Sequence, residues 1–186
     1  HCGGSTIAEG IAVRDVGAKT VQIVRELSRT IVTVSETGIE RAIAMLATMA
    51  KTVSEGAGAA SVAALLEHRN LFEGRRVGLV ISGGNIDARM LSSVLMRDLV
   101  RVGQVLTLNI EMPDKPGQLH AVSGVCAEEG ANVLEVAHSR FAMDLSASAA
   151  RLGITIETRD EAHAQQVIDR LNASGFSVSV KDPTGK

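Results

Sequence analysis

Four stretches of this 186-residue chain stand out, three of them with residue types that can hold a ligand. In Ile81-Ser82-Gly83-Gly84-Asn85 a hydroxyl and a carboxamide flank two glycines directly after an apolar run. In open α/β sheets ligands gather beyond the carboxyl ends of the strands, where glycine lets them approach the backbone. Ser82 would there offer its hydroxyl to a ring nitrogen or a phosphate. The same residues also suit a plain turn with local hydrogen bonds. Glu55-Gly56-Ala57-Gly58-Ala59-Ala60 opens a helix whose first amides could hold an anion. Small residues also let a helix pack tightly on a sheet, and a carboxylate just before it complements the helix dipole with no further role. Pro113-Asp114-Lys115-Pro116-Gly117 stands between a strand and a helix, where free amides could take a carboxylate and Gly117 would admit it. Asn132, opening the next strand, could add its side-chain amide. An Asp-capped helix with Pro116 in its first turn accounts for the same residues structurally. The fourth stretch, Ser5-Thr6-Ile7-Ala8-Glu9-Gly10-Ile11-Ala12-Val13, has no pattern that assigns it chemistry.

The elements that must position these residues fall into two halves. Over residues 6–101 helix and strand alternate. Apolar periodicity predicts helices over 18–27, 37–51 and 57–68, and a short β-branched strand over 30–35. Ile39, Ile43, Leu46 and Ala50 share one face of the second helix, and Ser35 before Glu36 is its N-cap signal. The continuous run Val77-Gly78-Leu79-Val80-Ile81 suits a strand at 76–82 buried on both faces, as in a parallel sheet. A helix over 87–102 follows. From Gln104 the order becomes strand 105–112, helix 116–129, strand 132–141, strand 151–158, helix 161–174 and strand 176–181. This is the βαββαβ arrangement of ferredoxin-like modules. Gly130 and Gly175 follow the helices where a left-handed cap is wanted, and Asp160 can cap the second one. The fold class is thus α/β in the first half, residues 1–101, and an α+β module in residues 102–186.

Composition narrows the function classes. There are 3 Phe, no Trp and no Tyr, and the net charge is −2. A single-stranded nucleic-acid platform needs a basic groove with aromatic faces, and neither is present in quantity. A polybasic membrane surface is equally unsupported. No apolar run approaches the ~18 residues of a membrane helix, and no charged segment followed by an apolar stretch opens the chain. Cys2 and Cys126 stand far apart without metal or redox spacing, so reduced thiols and a cytoplasmic setting are expected. Cys126 lies on an apolar helix stripe and reads as packing. His1, His68, His120, His138 and His163 form no ligand spacing, His1 with Cys2 makes no metal clip, and no metal site is assigned.

Taken together, Thr6-Ile7-Ala8-Glu9-Gly10-Ile11-Ala12-Val13, Glu55-Gly56-Ala57-Gly58-Ala59 and Ser82-Gly83-Gly84-Asn85-Ile86-Asp87 resemble the later catalytic-domain blocks of the threonine ammonia-lyases, also called threonine dehydratases. They stand in the same order and at suitable spacing. The second half resembles an ACT domain, an amino-acid-sensing unit appended to many metabolic enzymes, with Asp114-Lys115-Pro116-Gly117 as its ligand loop. The resemblance covers nearly the whole chain. It implies a pyridoxal phosphate enzyme of fold type II that turns threonine, and often serine, into a 2-oxo acid and ammonia. On it, Ser82 matches the serine that meets the pyridine nitrogen, with Gly83 and Gly84 beside it. Gly10 matches a backbone position near the cofactor's reactive end, and Glu55 a neighbour of the ring.

One departure matters more than the matches. The family's Schiff-base lysine sits in a Ser-Phe-Lys-x-Arg-Gly context and its cofactor phosphate in a tetraglycine loop. The lysines here are Lys19, Lys51, Lys115, Lys181 and Lys186, none in that context, and no four glycines run together. The chain therefore looks like the C-terminal portion of the enzyme, and by itself is expected neither to hold the cofactor covalently nor to turn over threonine. The competing reading is an amino-acid-binding module that acts as a non-catalytic sensor and dimerisation unit. The resemblance implies isoleucine or valine as effector, a homo-oligomer formed through ACT modules, and a place in isoleucine biosynthesis.

Overall fold

The computed structural model describes residues 6–140, 145, 146 and 148–181. His1, Cys2, Ser5 and Lys186, and the Phe141 end of the expected strand 132–141, lie outside the described residues. The chain divides into two compact units, His1–Asp98 and Leu99–Lys186.

In the first unit a one-turn 3-10 helix at Glu9–Ile11 precedes α1 (Ala18–Leu27), α2 (Glu36–Thr48), α3 (Gly56–Glu67), α4 (Arg69–Phe72) and the start of α5 (Ala88–Arg101). Ser35 caps α2 as its sequence predicts, its hydroxyl accepting the Gly38 amide at 2.9 Å. Ile39, Ile43 and Leu46 turn inward with Ala42, and meet Ala59, Val62 and Ala63 of α3 and Val94 of α5. Ala50 falls beyond the helix and is exposed. A second clamp joins the two helices. The Glu67 carboxylate accepts the Ser35 amide at 3.0 Å and the Ser35 hydroxyl, and these bonds hold its carboxyl below the usual range. α1 buries no residue, and Leu27 is 79% exposed.

Two expected strands do not form. Residues 30–34 and 76–82 carry no strand, and Val80 is 78% exposed rather than buried on both faces. A parallel strand exists only through its neighbours' hydrogen bonds, and among the described residues the first unit contains no other strand.

The second unit holds β1 (Val105–Pro113), α6 (Gln118–Glu129), β2 (Asn132–Ser139), β3 (Ala149–Glu157), α7 (Glu161–Ala173) and β4 (Ser177–Val180). The sheet order is β2-β3-β1-β4 with every pairing antiparallel, the expected split βαβ arrangement. Side chains alternate across a strand. Leu108, Ile110 and Met112 of β1 and Leu152, Ile154 and Ile156 of β3 therefore share the inner face with Val122, Val125 and Cys126 of α6 and Val167 and Leu171 of α7. Each such burial contributes about 1.5–3 kcal/mol before the entropy of ordering is counted. Burial also pushes the Cys126 thiol above its ordinary pKa. Asp160 caps α7 through the His163 amide at 2.8 Å. The His163 ring is buried between two main-chain groups: Nδ1 accepts the Arg159 amide at 3.1 Å, which leaves Nε2 to donate to the Glu129 carbonyl at 2.8 Å.

Candidate functional site

Three of the four stretches singled out in the sequence meet at the N-terminus of α3. Glu55 is the residue before the helix, and its side chain makes no cap bond. Its carboxylate lies between two glycines from distant parts of the chain. A β-carbon built on Gly10 would stand 3.2 Å from Glu55 Oε1, and one built on Gly83 only 2.4 Å from it. Gly83 also has φ +77°, a region that costs other residues about 1–2 kcal/mol. Its carbonyl accepts the Glu55 amide at 3.2 Å. The Ser82 turn is thus fastened to the start of α3 through backbone, while the Ser82 side chain is exposed and its hydroxyl meets no partner among the described residues. Beneath it, Ser54 is fully buried, and its hydroxyl donates to the Glu55 carbonyl at 3.1 Å.

A cleft of about 400 Å³ opens beside this cluster, lined by Glu9, Gly10, Glu55, Ala57, Asn85 and Asp87 among others. That volume falls within the ~300–1,000 Å³ of small-molecule sites. Gly10 and Glu55 line the cleft; Ser82, Gly83 and Gly84 are not among its lining residues, and of these three Gly83 meets Glu55. Asp87 closes one side as the cap of α5, accepting the Met90 amide at 2.9 Å. Sequence reasoning missed Ser54, whose burial has no local signature: it is a serine in a polar stretch, and only packing hides it.

In the second unit, Asp114, Lys115, Pro116 and Gly117 stay together between β1 and α6. The helix begins at Gln118, not at Pro116, because Gly117 adopts φ +91° as its cap residue. Asp114 does not cap it. Its carboxylate pairs instead with Arg140 at 3.1 Å, and its amide donates to the Ser148 carbonyl at 3.0 Å. The first amides of α6 consequently receive no side-chain cap. Arg140 escaped the sequence reading because 26 residues separate it from Asp114 and only the β2–β3 turn brings them together. Asn132 is a correction. It pairs across the sheet with Glu157, which faces Val105 at the far end of β1, and its side chain donates to the Glu157 carboxylate at 3.2 Å. Eight residue steps of β1 separate that end from the Asp114 loop, about 27 Å at the strand rise of ~3.4 Å. Within one module the loop and Asn132 cannot share a ligand.

No helix of the described residues is long and apolar enough to cross a membrane, and no group of three metal-ligating side chains occurs among them.

Two family descriptions match separate stretches of the chain. Residues 2–83 match the family described as pyridoxal-phosphate dependent enzyme, and residues 106–176 match the ACT domain. The L-threonine ammonia-lyase of Thermotoga maritima is 39% identical over 178 residues, which are 96% of this chain and 44% of that protein. The L-threonine ammonia-lyase of Geobacter sulfurreducens is 39% identical over 175 residues, 94% of this chain and 44% of its own length. An L-threonine dehydratase of Lactococcus lactis, named biosynthetic, is 37% identical over 112 residues, 60% of this chain and 27% of that one. The chain spans less than half the length of these relatives.

Proposed function

We propose that this chain, which belongs to the threonine ammonia-lyases as their C-terminal portion, supplies one wall of a pyridoxal phosphate pocket from residues 1–101 and an amino-acid-sensing ACT module from residues 102–186. The parent enzyme on this reading converts L-threonine, and also L-serine, to a 2-oxo acid and ammonia. The observation that carries it is the convergence of Gly10, Glu55 and Gly83, 45 and 28 residues apart in sequence, beside a serine hydroxyl without a partner among the described residues.

That hydroxyl suits the cofactor's ring nitrogen, and the Glu55 carboxylate is held between Gly10 and Gly83 close to it. When bound, pyridoxal phosphate supplies the electron-withdrawing ring that stabilises negative charge at the substrate Cα while the β-hydroxyl leaves. Ser82 would hold the ring nitrogen by a neutral hydrogen bond, which does not favour a proton there as a carboxylate would. Gly83 and Gly84 keep the approach free of side chains. Gly10 would present backbone to the reacting end, and Glu55 would stand beside the ring. No lysine here occupies the Schiff-base context, so the purified chain should release no 2-oxobutanoate above a cofactor-only control. In the full-length enzyme, Ser82→Ala should weaken pyridoxal phosphate binding about 3- to 10-fold, the worth of one hydrogen bond. Unchanged binding would remove Ser82 from the pocket.

The ACT module would take a branched-chain amino acid such as isoleucine or valine at Asp114, Lys115, Pro116 and Gly117, its carboxylate on the uncapped amides of α6. Asn132 would join such a site only from a second module, which fits a homo-oligomer. β2 supports that pairing: it is an edge strand, and Leu134 and Val136 on it are 45% and 43% exposed. A cytoplasmic setting and a part in isoleucine biosynthesis belong to the same reading. Taken alone, the chain would act as a non-catalytic sensor and dimerisation unit. Calorimetry of the chain with isoleucine, valine, threonine and serine tests this half. Binding of isoleucine or valine, lost in Gly117→Val, is expected; four flat titrations would remove the sensing role.

A further inference from the structure

The turn that carries Ser82 has no strand among the described residues to hold it, yet its backbone meets α3 and its cap at three successive points. The Glu55 amide donates to the Gly83 carbonyl at 3.2 Å. A β-carbon on Gly58 would stand 1.8 Å from the Ser82 carbonyl oxygen, so only glycine permits this approach. The Ser61 hydroxyl donates to the Val80 carbonyl at 2.9 Å. Residues 55, 58 and 61 recur every third position and lie along one side of the helix. Their partners 83, 82 and 80 run the opposite way. Each contact addresses main chain, so the register does not depend on the side chains at 80–83.

We infer that Gly58 and Ser61 are positioning residues for Ser82: one side of α3 fixes the 80–83 backbone in the way a neighbouring strand otherwise would, and so sets where the Ser82 hydroxyl points. Ser61 acts through the Val80 carbonyl and Gly58 through the carbonyl of Ser82 itself. Neither reaches the cleft. This rests on the reading of Ser82 as a cofactor contact for its consequence, but the positioning itself is a property of the chain.

Amide hydrogen exchange on the 186-residue chain, followed by NMR, tests it without cofactor. The Glu55 amide reports directly on the contact with Gly83. Ser61→Ala should accelerate its exchange about 3- to 10-fold, the opening expected when one hydrogen bond is lost. Amides of residues 42–46 in the buried part of α2 should not change, and Ser61→Thr, which keeps the hydroxyl, should restore the slow rate. Gly58→Ala should accelerate the Glu55 amide further; if that variant does not fold, the serine pair still decides the matter. An unchanged Glu55 rate in Ser61→Ala, failure of Ser61→Thr to restore it, or equal acceleration throughout α2 would overturn the inference. The reading of Ser82 fails separately, if Ser82→Ala leaves pyridoxal phosphate binding by the full-length enzyme unchanged.

Discussion

Alanine substitution at Gly58, Gly78 and Gly83, which lie in or around the Ser82 turn, should give three different costs, because the space at each differs. At Gly78 a β-carbon would meet nothing within 4 Å, and its φ is not positive. Gly78→Ala should therefore be neutral, or stabilise by about 0.4–1 kcal/mol through the unfolded chain. At Gly83 the left-handed backbone costs alanine about 1–2 kcal/mol. The added methyl also displaces the Glu55 carboxylate, the mobile end of a flexible side chain, at little extra cost. At Gly58 the obstacle is the Ser82 carbonyl itself, and backbone must move. Separating α3 from residues 80–83 loses the bonds from Glu55 and Ser61, about 1 kcal/mol each, and crowding a packed helix adds about 1–3 kcal/mol. Gly58→Ala should thus cost about 3–5 kcal/mol on those two accounts. Without Trp or Tyr in the chain, urea unfolding is best followed by far-ultraviolet circular dichroism, with the untouched second unit as internal reference. If Gly58→Ala costs no more than Gly78→Ala, the close approach of Ser82 to α3 is wrong, and with it the geometry of the site.

Three further outcomes follow from other parts of the molecule. Glu67 has its carboxyl lowered by the Ser35 hydroxyl and amide, so its contribution is complete above the unfolded carboxyl pKa and fades as pH falls through the lower folded value. The stability gap between wild type and Glu67→Gln should shrink below about pH 4; a gap that stays constant from pH 6 to pH 3 contradicts this. Cys126 is buried with a raised thiol pKa. In a Cys2→Ser chain a thiol-specific disulfide reagent should react at pH 8 only after unfolding, and rapid reaction with native protein would refute the burial. His163→Ala leaves the Arg159 amide and the Glu129 carbonyl without their ring partner. It should destabilise the second unit by about 2–4 kcal/mol in urea titrations, and a loss below 1 kcal/mol would show that water replaces the ring.

Sequence legibility followed the range of the interactions. The second unit was readable almost throughout because its signals are local. β3 throughout and β1 from Leu108 alternate buried with less buried residues, Asp160 caps α7, and Gly130 turns left-handed after α6. α1, α2, α3 and α5 of the first unit were equally plain, down to the Ser35 cap, whereas α4, four residues long, is too short to show a period. The unit's strands were not plain. The apolar run at 77–81 suits a strand buried on both faces, but a strand also needs partners, and none is present among the described residues. Of the site, Gly10, Glu55 and Ser82 could be singled out one by one, but nothing in the sequence says that the Glu55 carboxylate fills the space between Gly10 and Gly83. The roles of Ser54, Gly58 and Ser61 depend on contacts made in packing. Asn132 shows the opposite error: proximity in the chain order suggested a site shared within one module, which the sheet register denies.

The most direct test is the release of 2-oxobutanoate from L-threonine by the full-length protein that contains this chain, measured with pyridoxal phosphate present and with isoleucine or valine added. Turnover is expected, at a rate that changes when one of the two branched-chain amino acids is added. No 2-oxobutanoate from threonine would contradict the proposed chemistry, and a rate indifferent to both effectors would contradict the sensing role of the ACT module.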